Sequence, residues 1–292
     1  MTTVPDANIH ALAVDGSFDE AQAVVKGLFG DQDFSKEFGI GAVNSINWAR
    51  VMAQIVYFFY AYFRLVDRGV CALGDPVRFS VPTGNFGHVF AGYLASRMGL
   101  PVEKFVLATN HNDILHRFVS SGAYEKGQVS FTLSPSMDIQ VASNFERYLY
   151  FLADQDSQVV QGWMDDLQQK GGFSVSGDLL KKVQAEFVSA GVNDQDTLAT
   201  ITRVHQETGY VLDPHSAVGY HAAELHHDPQ IPTLCMATAH PAKFTEAIRQ
   251  ALGAPPELPP ALARLESLPT RVTRLPATLD AVRDHIRQTL AD

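Results

Sequence analysis

A chain of 292 residues, 46% hydrophobic and 18% charged, has enough apolar material for one large domain or two smaller ones. Its 22 Lys+Arg against 32 Asp+Glu give a net charge of −10, and without a basic cluster this argues against nucleic acid or an anionic membrane surface as a partner. The two cysteines, Cys71 and Cys235, lack metal-ligand spacing, and with no signal peptide in the sequence they fit a reduced, cytoplasmic setting.

From the amino end, His10 to Gly16 reads as a strand ending in a turn, and Ser17 as the cap of a helix through Phe29 with Phe18, Ala21, Val24, Val25 and Leu28 on its apolar side. Asn44-Ser45-Ile46-Asn47 precedes a long helix from near Trp48. These residues read either as caps and turn formers or as ligand-facing side chains at the carboxyl end of a sheet. The run Val51 to Val66 is broken by Gln54 and Arg64, falls short of a membrane span and reads as a buried helix.

Val77 to Val81 reads as a short buried strand, and Val89, Phe90, Tyr93, Leu94 and Met98 recur at helical spacing. Between them, Gly84 and Gly87 allow positive φ and a close approach to the backbone. Strand, glycine turn and helix N-terminus together can hold an anion, because the first helical amides are unpaired and the dipole favours negative charge. The turn has neither the Gly-Lys-Ser/Thr of a P-loop nor the Gly-x-Gly-x-x-Gly of a dinucleotide fold. It reads equally well as a phosphate cradle or as a tight turn that needs glycine for geometry alone.

A second buried strand, Lys104 to Thr109, runs into Asn110-His111-Asn112-Asp113. These are polar groups where open α/β sheets bind ligands, or a cap for the helix from Ile114 to Ser120. Ser134 to Asp138 and Ser143 to Arg147 follow, and Arg147 reads as a surface side chain or as a fork for an anion. Asp156 to Gln206 looks like amphipathic helix interrupted by glycines. The α/β rhythm returns with the capped start Asp213-Pro214-His215-Ser216, and a strand from Thr233 to Ala237 leads into Thr238-Ala239-His240-Pro241-Ala242-Lys243-Phe244. His215 and His240 are candidate acids, bases or ligands, but no HExxH or Cys/His spacing supports zinc. A Pro-rich piece, residues 255–260, leads to a closing helix from Leu279 to Leu290. The expected division is an α/β part over residues 1–155, a helical lobe over 156–210, and a return to the α/β domain over 211–292.

Taken in order, NSIN, SVPTGNFG, ATNHND, SPSMD with SNFER, DPHSAVG and TAHPAKF resemble threonine synthase in its bacterial and fungal form. The resemblance extends over nearly the whole chain and is faintest in the helical lobe and the Pro-rich tail. It implies a fold-type II pyridoxal-phosphate (PLP) enzyme, an α/β open sheet flanked by helices as in the tryptophan synthase β-subunit. Such an enzyme converts O-phospho-L-homoserine and water to L-threonine and phosphate. On this resemblance Gly84, Asn85, Phe86, Gly87 and His88 hold the cofactor phosphate and Thr238 bonds the pyridine nitrogen. Asn44, Ser45, Asn47, Asn110, Asn112, Asp113, Arg147 and Lys243 are looser candidates for the substrate pocket.

The family's Schiff-base lysine lies in a Ser/Ala-Phe-Lys-Asp type motif, and none of the lysines here (Lys26, Lys36, Lys104, Lys126, Lys170, Lys181, Lys182 and Lys243) has that context. The opening resembles an internal part of the family sequence, with Met1 at an interior methionine. The expectation is therefore the carboxyl-terminal part of a threonine synthase, with the missing amino-terminal segment as a partner. Alternatives are a non-catalytic ligand-binding or regulatory derivative of the fold and a related PLP-dependent phospho-lyase that releases a keto acid.

Overall fold

The computed structural model describes residues 2–16, 18–44 and 46–290, without the side chains of 18, 19 and 266. The expected cap Ser17, the loop residue Ser45 and Met1 lie outside the described residues. The chain divides into two compact units, Ala42–Pro256 and a smaller one made of Met1–Gly41 and Glu257–Asp292. This division differs from the one expected at residues 155 and 210.

In the smaller unit the strand Leu12–Asp15 pairs in parallel with Thr273–Pro276, from Leu12 opposite Thr273 to Asp15 opposite Pro276. Helices Phe18–Gly30, Gln32–Phe38 and Leu279–Leu290 contribute Val24, Leu28, Phe34 and Val282 to its core. Asp31 caps the second helix by accepting from the Phe34 N–H at 3.0 Å, and its other carboxylate oxygen takes Arg283 at 2.8 Å.

The larger unit is built on four parallel strands in the order Phe187–Gly191, Val102–Thr109, Val77–Pro82, Thr233–Cys235. The two central strands are buried over most of their length, as their near-continuous apolar sequence requires when both faces are covered. Residues 156–210 do not stand apart as a helical lobe, because Phe187–Gly191 is an edge strand of this sheet, with Phe105 opposite Phe187 and Thr109 opposite Gly191. That strand escapes a periodicity reading because the helix Gly177–Glu186 passes into it without an intervening turn. A short antiparallel pair, Ala123–Glu125 with Gly172–Ser174, completes the sheet structure of this unit among the described residues.

Asn47 caps the long helix Trp48–Asp67 by accepting from the Ala49 N–H at 2.9 Å. The helix buries Val51, Phe58 and Tyr62 and leaves Met52, Val56, Tyr57 and Tyr60 exposed. Among the described residues no helix is long and apolar enough to cross a membrane. The main core runs through Phe58, Phe79, Phe86, Phe105, Phe145, Tyr148 and Phe187. Each such ring contributes roughly 1.5–3 kcal/mol by leaving water.

The helix Pro214–Leu225 lies close against the central strand. A Cβ on Gly219 would stand 2.8 Å from Pro82 Cγ, and the Ser80 hydroxyl donates to the Gly219 carbonyl at 2.6 Å. This packing brings Asp213 and Ser216, at the helix start, to the end of the sheet where the chain emerges from Thr233–Cys235 toward Thr238.

Candidate functional site

The central strand leaves the sheet at Thr83, whose N–H donates to the Ala108 carbonyl at 2.8 Å. Phe86 (φ 62°, ψ −1°) then turns the chain into the helix Gly87–Arg97. This corrects the expectation that Gly84 and Gly87 take the positive φ, because the left-handed residue of the turn is a buried aromatic. Such a backbone costs on the order of 1 kcal/mol and persists where its surroundings over-determine it. Here the Phe86 ring is fixed by Phe145, Tyr148 and Phe187 at centroid distances of 5.0, 5.7 and 6.0 Å. Gly84 is required for a different reason. A Cβ there would meet the Ser136 carbonyl oxygen at 2.7 Å and Met137 Cα at 3.2 Å.

The Phe90 N–H donates to the Phe86 carbonyl at 2.8 Å, so the amides of Gly87, His88 and Val89 stand ahead of the first helical hydrogen bond. Asn85 ties the turn to the next segment: its Oδ1 accepts from the Ser143 hydroxyl at 3.2 Å, and its carbonyl accepts from the Asn144 N–H at 3.1 Å. His88 sits edge-on to Phe58 and Tyr57 at 5.2 and 6.3 Å. Its Nε2 is buried without a hydrogen-bond partner, and burial pushes its pKa down to about 4.

A second polar cluster lies at the start of the helix Pro214–Leu225. Asp213, only 1% exposed, accepts from the His215 N–H at 3.0 Å, from His215 Nδ1 at 3.0 Å and from the Ser216 hydroxyl. Burial works to raise the Asp213 pKa, but the hydrogen bonds from His215 and Ser216 outweigh it and hold it below the ordinary carboxylate value. His215 Nε2 accepts from the Ser136 N–H at 3.2 Å, which places the ring proton on Nδ1, facing Asp213. Phe244 covers the imidazole at 4.7 Å. The Ser216 hydroxyl accepts from the Thr238 N–H at 3.1 Å, and the exposed side chain of Thr238 takes no part in that bond.

The looser candidates are occupied differently. Asn110 and Asn112 are 1% and 3% exposed. Asn110 Nδ2 donates to Asp138 Oδ1 at 2.7 Å and Thr132 Oγ1 at 2.8 Å, and its Oδ1 accepts from the Asn112 N–H at 2.8 Å. Asn112 bonds both backbone groups of Ser130 at 2.8 Å and also reaches Asp138. Asp113 accepts from Arg117 Nε at 3.0 Å. The Arg147 guanidinium lies over Trp48 at 5.4 Å and donates to the Ile46 carbonyl at 3.1 Å, so it fastens the Asn44–Asn47 loop. Within that loop Asn44 Oδ1 accepts from the Ile46 N–H at 3.0 Å, while Lys243 is exposed on a short 3₁₀ turn that His240 caps through the Ala242 N–H. Ser136 and Ser216 were not among the expected site residues; Ser216 has a local signal in the capped Asp-x-x-Ser start, and Ser136 only its place in the SPSMD segment.

A family model described as threonine synthase, C-terminal, matches residues 216–286. The threonine synthase of Pseudomonas aeruginosa is 46% identical over 99% of this chain and 61% of that protein. The chain matches the carboxyl-terminal portion of threonine synthase. It is 45% identical to a PLP-bound threonine synthase from Brucella melitensis, with a TM-score of 0.88 over 99% of this chain and 61% of that one. The yeast threonine synthase structure gives 40% identity and a TM-score of 0.86 over 100% of this chain and 61% of its own. The expected α/β fold of fold-type II thus holds, and the chain spans about three-fifths (61%) of the threonine synthases it matches.

Proposed function

We propose that this chain carries the cofactor-phosphate side of a PLP-dependent threonine synthase that acts on O-phospho-L-homoserine in the cytoplasm. The observation that carries the reading is the Gly84–Val89 turn. Its helix-start amides precede the first helical bond, Gly84 is pinned beneath Ser136, and the buried Nε2 of His88 has no partner. A phosphate monoester fits such a turn, because amides and helix dipole supply positive potential without a lysine.

The amides of Gly87, His88 and Val89 would hold the phosphate, with Asn85 fixing the turn. The Thr238 hydroxyl would bond the ring nitrogen as a neutral partner. When bound, PLP supplies the electron-accepting ring that stabilises negative charge at the substrate carbons. Asn44, Ser45, Asn47 and Lys243 are the candidates to meet the substrate. Asn110 and Asn112 serve instead to hold the segment from Ser130 to Asp138, and Arg147 to hold the loop before the long helix. Full turnover also needs a general acid–base lysine, which we assign to the remainder of the threonine synthase sequence.

The test is to give this chain PLP and O-phospho-L-homoserine, alone and with the amino-terminal remainder of a matched relative, and to assay phosphate, threonine and keto acid. We expect phosphate and threonine together only when the remainder is present. Keto acid in place of threonine identifies the related phospho-lyase. Threonine from the chain alone overturns the need for the remainder, and failure to bind PLP or phosphate in either format indicates a non-catalytic derivative.

A further inference from the structure

Asp213 is a buried carboxylate that the proposed chemistry does not use. Its two oxygens lead in two directions. Oδ1 takes the His215 ring, whose Nε2 receives the Ser136 N–H at 3.2 Å, and the Ser136 carbonyl is the group that lies over Gly84 in the cradle. Oδ2 takes the Ser216 hydroxyl, which receives the Thr238 N–H at 3.1 Å. One carboxylate therefore fastens the segment that shapes the cradle and also the strand end that presents Thr238.

The polarity of each arm is fixed. A carboxylate only accepts, so His215 must present Nδ1–H to it and leave Nε2 to accept from Ser136. Ser216 must likewise give its one proton to Asp213 and turn a lone pair to the Thr238 amide. A neutral amide side chain at position 213 has a single acceptor end, so it takes only one of the two side-chain donors that Asp213 takes. The helix itself cannot slide to relieve a mismatch while Gly219 sits against Pro82.

We propose that Asp213 is a positioning residue that sets the phosphate cradle and Thr238 in register with one another, through the His215–Ser136 arm and the Ser216–Thr238 arm. The ligand is a pyridine ring bearing a phosphate, which must meet both ends at once. This rests on the cradle being the cofactor-phosphate site. A small error in the spacing of two fixed ends is costly for a rigid ligand, as it is for any preorganised site.

The test breaks the arms one at a time in the chain as it stands, by amide hydrogen exchange at Ser136 and Thr238 and by titration with inorganic phosphate. Ser216→Ala should speed exchange at Thr238 at least about tenfold, leave Ser136 protected, and keep phosphate affinity within about twofold. His215→Phe keeps the bulk against Phe244 and should do the reverse. It exposes the Ser136 amide, spares Thr238, and weakens phosphate severalfold by loosening the cover over Gly84. Asp213→Leu, which removes both acceptor oxygens at similar bulk, should release both amides. Uniform acceleration at both amides in each single-arm variant, or no change in either, overturns the positioning role. Arm-specific exchange in a chain that does not bind phosphate overturns the cradle reading alone, so the two failures are distinguishable.

Discussion

Two neighbouring strands of the parallel sheet end in clusters rich in polar side chains, and the two clusters are bonded in opposite ways. After Val77–Pro82 the turn keeps three helix-start amides ahead of the first helical bond and a buried imidazole nitrogen without a partner. After Val102–Thr109, Asn110 and Asn112 direct their polar atoms into Asp138, Thr132 and Ser130. What separates a binding site from a scaffold is the presence of donors left over after internal bonding, since buried polar groups are otherwise matched within the protein. Polar composition at a strand end does not make the distinction.

The strongest way to break this comparison is at the scaffold. Asp138 accepts from Asn110 Nδ2, Asn112 Nδ2, the Thr132 N–H and the Thr132 hydroxyl, at 2.7, 3.1, 2.9 and 2.6 Å. Asp138→Ala leaves the Thr132 N–H without its acceptor and removes three further hydrogen bonds to a buried charge, and should cost about 4 kcal/mol in urea unfolding. A cost below about 1 kcal/mol would place the cluster on the ligand-binding side of the comparison.

The next effect is the pH dependence that His88 imposes. Its folded pKa is depressed to about 4, so below about pH 6.5 the unfolded chain binds a proton that the folded chain refuses. Stability from this group is therefore intact above pH 6.5 and falls as the pH drops toward 4, by on the order of 3 kcal/mol. His88→Gln should flatten the stability profile over that window relative to the parent chain. Parallel profiles for the two proteins would contradict the burial of the imidazole.

Gly84→Ala is a smaller but sharper probe. The added methyl meets a backbone carbonyl at 2.7 Å, which cannot swing aside as a side chain tip can. We expect a loss of about 2 kcal/mol in stability and weaker phosphate binding as Ser136 is pushed off the turn. An unaffected phosphate affinity would separate Gly84 from the site.

Much of this contrast was readable in the residues. The strands at 77 and 104, the helix after Gly87 and the long helix from Trp48 followed from apolar runs, spacing and caps. Other parts depended on contacts that a local window does not contain. Phe187–Gly191 continues directly from a helix, and Thr273–Pro276 has one buried-type aliphatic in four residues and owes its pairing to a strand near the other end of the sequence. Glycine was the natural guess for positive φ in the cradle, yet a cage of aromatic rings imposes it on Phe86. The cap at Asp213 was visible. Its partners Ser136 and Thr238, which lie 79 residues from His215 and 22 from Ser216, were not.

The central claim is that the start of the Gly87–Arg97 helix is an anion site. The most direct measurement is a titration of the ¹⁵N-labelled chain with inorganic phosphate at constant ionic strength, followed at the amides of Gly87, His88 and Val89. Saturable shifts at these three with one stoichiometry, absent at Asn110 and Asn112, are the expected result. Unmoved cradle amides at phosphate concentrations that shift other parts of the chain would contradict it.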